Sequence, residues 1–197
     1  PGLTEKLIVP ARDKSGAPVL CLIDGRGKGV LATSTPNLAD AHMATLSFED
    51  TPCIVLCKDE DARRIWAIAF DRMLIALAAQ AVGGAERALE IATDYAKTRA
   101  QFGQPIGSFQ AIAHYLADAA VNVEGARFLT FRAAAAADDG DDVSTWAAMA
   151  KLKACRTFRD VSALCIQIHG GIGFTLEADP QLFYRRAKHL QLIHGDP

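Results

Sequence analysis

From about residue 60 onward the apolar residues recur at three- and four-residue steps, and that period constrains the chain more than any other feature. Leu74, Leu77, Ala78, Ala81, Val82, Ala85, Leu89, Ala92 and Tyr95 form one stripe. Such a stripe reads as one buried face of a long helix. Gly83 and Gly84 interrupt it. Glycine costs a helix about 1 kcal/mol, so a close neighbour helix or ligand is expected there.

Three further helical stretches follow. The second is expected over about 107–137, with a stripe of Phe109, Ile112, Ala113, Leu116, Ala117, Ala120, Val121, Phe128 and Phe131. Glu124 falls on that stripe and calls for a cationic partner, an interhelix ion pair being the plain reading. Asp138-Asp139-Gly140-Asp141-Asp142 is a loop whose aspartates, or Ser144, cap the third helix. That helix carries Trp146, Met149, Leu152, Cys155, Phe158, Val161 and Cys165, and stops at His169-Gly170-Gly171. A last helix, about 180–193, starts at Asp179-Pro180.

Before residue 58 the pattern is different. Leu7-Ile8-Val9, Val19 to Ile23 and Thr45 to Phe48 are short β-prone runs separated by Asp-, Gly- and Pro-rich turns. The expected fold class is therefore α+β: a partial antiparallel β-domain (1–58) followed by an all-α four-helix bundle (59–197). Pro1 and Pro197 read as cut ends, so the sequence is expected to be part of a longer protein.

Bulk properties exclude several function classes. Net charge is −2 with 22% charged residues, so no basic field points to nucleic acid. No apolar run approaches the roughly 20 residues of a membrane span. Cys21, Cys53, Cys57, Cys155 and Cys165 lack metal or redox spacing, and free thiols in a reducing cytoplasm are expected.

Two segments carry candidate chemistry. Arg99-Ala100-Gln101-Phe102-Gly103-Gln104-Pro105-Ile106-Gly107, with Phe109-Gln110, joins the first two helices. A guanidinium fork, amides and an aromatic face suit a large ligand with phosphates and rings. Gln167-Ile168-His169-Gly170-Gly171-Ile172-Gly173 follows a helix rather than a strand, so it is no dinucleotide or P-loop fingerprint. Its glycine turn still offers backbone amides to a close ligand.

Taken together, Tyr95 to Asp118 and Cys165 to Gly195 resemble the C-terminal helical domain of the acyl-CoA dehydrogenases, and Ala44 to Pro52 resembles the end of that family's middle β-domain. The resemblance implies an FAD flavoprotein that dehydrogenates the Cα–Cβ bond of an acyl-CoA thioester and passes electrons to an electron-transfer flavoprotein. It assigns Arg99 to the FAD pyrophosphate, often that of a neighbouring subunit, and Phe102 to the flavin side. Gln110 joins the same site, and Gln167, Ile168, His169, Gly170 and Gly171 take the adenosine end. An acyl-CoA oxidase-like flavoenzyme and a non-catalytic scaffold of the same fold are the alternatives.

The family's glutamate base is missing from both of its usual places. His194 stands at the common one, before Gly195, and is the chain's own catalytic candidate, an imidazole able to accept a proton; Met73 stands at the other, and Asp71 is near but off the required face. The chain thereby resembles a bacterial branch of the family built from two unlike subunits, one of them without a base. A tetramer with a base-bearing homologous subunit and a bacterial cytoplasmic location are expected. Small residues at Ala78, Ala79 and Val82 would admit a bulky acyl group if the first helix lines the acyl pocket.

Overall fold

A computed structural model describes residues 5–195. The chain divides into two compact units, Pro1–Phe70 and Asp71–Pro197.

In the first unit, β1 (Lys6–Arg12) and β2 (Pro18–Asp24) form an antiparallel hairpin, and β5 (Cys53–Lys58) pairs antiparallel with the other side of β2. β3 (Val30–Ser34) and β4 (Ala44–Phe48) form a separate two-stranded ribbon. The small core is Val19, Cys21 and Ile23 of the central strand, covered by Leu7, Val9 and Val30. Gly29 has φ +79°, and a Cβ there would meet the Glu49 carbonyl oxygen at 1.9 Å, so the ribbon closes only on glycine. The β-prone runs of the sequence are thus β1, β2 and β4. The strands β3 and β5 went unread because their ends merge with turn-forming residues.

Helix α1 runs from Asp59 to Thr98. By length and hydropathy it reaches the measure of a membrane-crossing helix, which the sequence reading missed because Asp71 and Arg72 break the apolar run. Its later part is the core helix of the second unit: Ala78, Ala81, Ala85, Ala88, Ala92 and Ala96 are all buried. The antiparallel array is completed by α2 (Gln110–Asp139), α3 (Val143–His169) and α4 (Pro180–Leu192). Strands followed by four helices agree with the expected α+β class.

Alanine and glycine let these helices approach closely. A Cβ on Gly84 would lie 2.5 Å from the Phe158 ring of α3. The neighbour expected at the glycine pair is therefore a phenylalanine, and only the second glycine is needed, since Gly83 faces open space. Asp142 caps α3, accepting from the Thr145 N–H at 3.3 Å, while the Ser144 hydroxyl donates to Asp71 at 2.6 Å.

The face of α2 differs from the expectation. Its buried residues are Ala119, Val123, Ala126, Thr130, Ala133 and Ala136. Val121, Phe128 and Phe131 are 72%, 68% and 64% exposed. Ile112 and Leu116 of the expected stripe do pack against the core, but beyond them the buried face turns to smaller residues and leaves Val121, Phe128 and Phe131 outside. Glu124 is accordingly outside the core and pairs with Arg127 at 2.7 Å, and Arg127 also bridges to Glu86 of α1.

Candidate functional site

The first motif folds as a tight hairpin. After α1 ends at Thr98, the Arg99 N–H still donates to the Tyr95 carbonyl at 2.8 Å. β6 (Ala100–Gln101) then pairs with β7 (Gln104–Pro105) across Phe102-Gly103. Both tip residues have positive φ, 56° and 83°, as a type I′ turn demands. The Ile106 N–H closes the loop on the Arg99 carbonyl at 2.8 Å. A Cβ on Gly107 would crowd the Ala96 carbonyl at 3.0 Å, so this glycine lets the hairpin lie on the end of α1.

These constraints present the candidate side chains outward. Phe102, at the tip, is 92% exposed and meets Phe109 edge to face at 6.1 Å. Gln110 opens α2 and is exposed. Arg99 is exposed too, with no side-chain ion pair among the described residues. An unpaired guanidinium on a rigid turn is available to a phosphate.

The second motif ends α3. Gly170, at φ +64°, terminates the helix, and its N–H donates back to Gln167 and Ile166. A 3-10 turn follows over Gly170–Phe174. Gly173 is buried, and a Cβ there would strike the Ile166 carbonyl at 2.7 Å. Around Gly171 there is open space, so an approaching ligand meets bare backbone. Ile168 is buried and anchors the turn, whereas Gln167 is exposed.

His169 joins the two motifs. Its ring stacks on Tyr95 with centroids 4.1 Å apart. Its Nδ1 lies 2.8 Å from the Cys165 carbonyl. A carbonyl only accepts, so Nδ1 carries a hydrogen and donates to it. Tyr95 lies one helical turn before Arg99, so this stack fixes the arginine hairpin beside the glycine turn. The sequence placed Tyr95 on the apolar stripe, and its bridging role went unread. Burial pushes the neighbouring Cys165 thiol up to about 12, which keeps it protonated and inert.

His194 takes no part in that stack. It follows α4 with φ +55° and is exposed. The turn around it is held by Lys151 of α3, which is only 5% exposed. The Lys151 ammonium donates to the Gln191 carbonyl at 2.8 Å and to the Gly195 carbonyl. The sequence held a signal for this: Lys151 sits at the inward register of Cys155, Phe158, Ser162 and Cys165. Met73 is half-buried on α1.

Two sizeable clefts of the helical unit lie away from both motifs. One of about 600 Å³ runs between α2 and α3 and is lined mainly by Phe128, Leu129, Met149 and Leu152. The other, about 390 Å³, lies between α1 and α2 around the Glu86–Arg127 pair. Neither gathers unpaired polar groups as the two turns do, so the turns are the better candidate site.

The two motifs thus supply an outward guanidinium, bare glycine backbone and ordered aromatic rings. Residues 64–196 match the acyl-CoA dehydrogenase C-terminal domain, and the chain belongs to that family. It is 44% identical over 157 residues to the acyl-CoA dehydrogenase IpdE2 of Mycobacterium tuberculosis, a stretch covering 80% of this chain and 44% of that protein. Its structure superposes with a TM-score of 0.93 on butyryl-CoA dehydrogenase from Megasphaera elsdenii, at 31% identity over 99% of this chain and 54% of that one. A TM-score of 0.87, at 25% identity, relates it to a chain of the ChsE4-ChsE5 complex of Mycobacterium tuberculosis, covering 99% of this chain and 53% of that one. The chain spans about half the length of these relatives.

Proposed function

We propose that this chain supplies part of the FAD site of an acyl-CoA dehydrogenase, as the base-less subunit of a hetero-oligomer. The family is FAD-dependent. The observation that carries the reading is the Tyr95–His169 stack, which sets the Arg99 hairpin and the Gln167–Gly171 turn side by side. The residues fit the cofactor chemically. Arg99 would bind the pyrophosphate, and Gln167 with the backbone of Gly170 and Gly171 would receive the adenosine end. Phe102 would cover a flavin edge, and Gln110 would donate from the start of α2.

Bound FAD would accept the hydride leaving Cβ of an acyl-CoA thioester. This chain's part is to bind and orient. All of these groups except Ile168 and His169 point to open solvent, which suits a cofactor shared with a neighbouring subunit. Proton removal at Cα requires a base. His194 and Met73 stand where the family's glutamates would, so the carboxylate is assigned to a homologous partner subunit. The structure of the ChsE4-ChsE5 complex supports such pairing among relatives. On this reading residues 1–58 end a β-domain, residues 59–197 form the helical domain, and the tetramer works in a bacterial cytoplasm with electron-transfer flavoprotein as acceptor.

The test is to produce the full-length protein alone and together with a base-bearing homologous subunit, and to record acyl-CoA-dependent dye reduction. Activity is expected only from the pair. Full activity from this protein alone would remove the base-less assignment.

A further inference from the structure

Lys151 presents an energetic question that the cofactor site does not answer. A buried ammonium is costly unless it is paired or hydrogen-bonded. No carboxylate pairs with Lys151 among the described residues. Among the described residues its hydrogen-bond partners are backbone: the carbonyls of Gln191 and Gly195. Gln191 lies in the last turn of α4, where carbonyls lack helical partners and the dipole is negative, so a cation is favoured there. Cys155, one turn along α3, adds a second tie to the same helix end through the Leu190 carbonyl at 3.5 Å.

Gly195 is a different kind of acceptor, since it lies past the helix. Between the two acceptors stands His194, a non-glycine residue in the left-handed region. That conformation is costly for a residue with a Cβ and persists only where the surroundings fix it. A single buried donor grips the chain on both sides of residue 194.

We propose that Lys151 is a positioning residue for residue 194: by bridging the Gln191 and Gly195 carbonyls it fixes the left-handed turn that presents this side chain. The functional sense of this rests on the reading above, in which residue 194 occupies the base position of the family. The clamp grips only backbone and would hold a glutamate at 194 as it holds histidine. The machinery that orients a base therefore persists in a chain without one.

The test uses the full-length flavoprotein in complex with its partner subunit. Lys151→Met and Lys151→Gln are made alone and combined with His194→Glu. Amide hydrogen exchange at residues 192–195 is expected to quicken at least tenfold in Lys151→Met and less in Lys151→Gln, with residues 154–168 and FAD content changed less than twofold. His194→Glu is expected to add dye reduction above that of the His194 complex, with a pH profile showing a new carboxylate. Adding Lys151→Met should lower the kcat of that extra activity at least tenfold with KM within twofold. If Lys151→Met does not fold, Lys151→Gln, which keeps an amide donor, carries the comparison. Unchanged exchange at 192–195 in the folded Lys151 variants overturns the proposal. Faster exchange with no activity from His194→Glu upholds the clamp and removes the base-position reading.

Discussion

The ring of Tyr95, near the end of α1, stacks on the ring of His169, the last residue of α3, with planes 24° apart. Aromatic pairs in contact contribute about 0.5–1.5 kcal/mol beyond their buried area. Tyr95→Phe keeps the stack and is expected to leave FAD retention and thermal stability nearly unchanged. Tyr95→Ala removes it and should cost about 2–3 kcal/mol and loosen FAD, because both turns lose their common support. Flavin absorbance after gel filtration, with a thermal melt, separates the two variants.

The Phe158 ring of α3 occupies the space that a side chain on Gly84 of α1 would need. Gly84→Ala is expected to destabilise by about 2–3 kcal/mol, since the ring blocks the added methyl and the core cannot yield. Gly83→Ala, which meets nothing, should be neutral or slightly stabilising. Phe158→Leu should restore part of the loss in Gly84→Ala, measured as the coupling in a denaturant double-mutant cycle.

The two faces of α2 supply a third comparison. Ala126 is fully buried and Phe128 largely exposed in this chain. Ala126→Leu should destabilise the bundle by about 1–3 kcal/mol through overpacking. Phe128→Ala should leave monomer unfolding within about 0.5 kcal/mol, as surface changes do. Chemical denaturation at matched protein concentration gives both values.

Cys165 gives a pH dependence. Burial raises its thiol to about 12 in the folded chain, above the usual 9.0. The folded state therefore holds its proton more firmly than the unfolded state. That contribution is fully present below pH 9 and is lost as pH rises from about 9 to about 12. Cys165→Ala should flatten this alkaline decline. In the native chain at pH 8, a thiol reagent should label exposed Cys53 and spare Cys165.

Periodicity made the four helices legible, and glycine and proline made their ends so: Gly170 stops α3 and Pro180 opens α4. Beyond Leu116 the inward face of α2 was not legible, because a ladder of alanines carries little hydropathic signal beside Phe128 and Phe131. The site was legible as two motifs by residue type. Their joining was not, because Tyr95 and His169 are 74 positions apart and only folding sets one ring on the other. The tie between Lys151 and residue 195 was hidden for a similar reason, since a lysine's charge ordinarily marks a surface position.

In the proposed site the Arg99 hairpin and the Gln167 turn hold one cofactor. The direct measurement of this is FAD retention by the full-length protein in its complex, read from flavin absorbance per protein, for the unmodified chain and for Arg99→Ala combined with Gln167→Ala. Loss of a charge-assisted phosphate contact and of an amide partner is expected to weaken FAD binding at least tenfold while leaving the helical melt in place. Equal FAD content in the folded double variant would contradict the assignment of both turns.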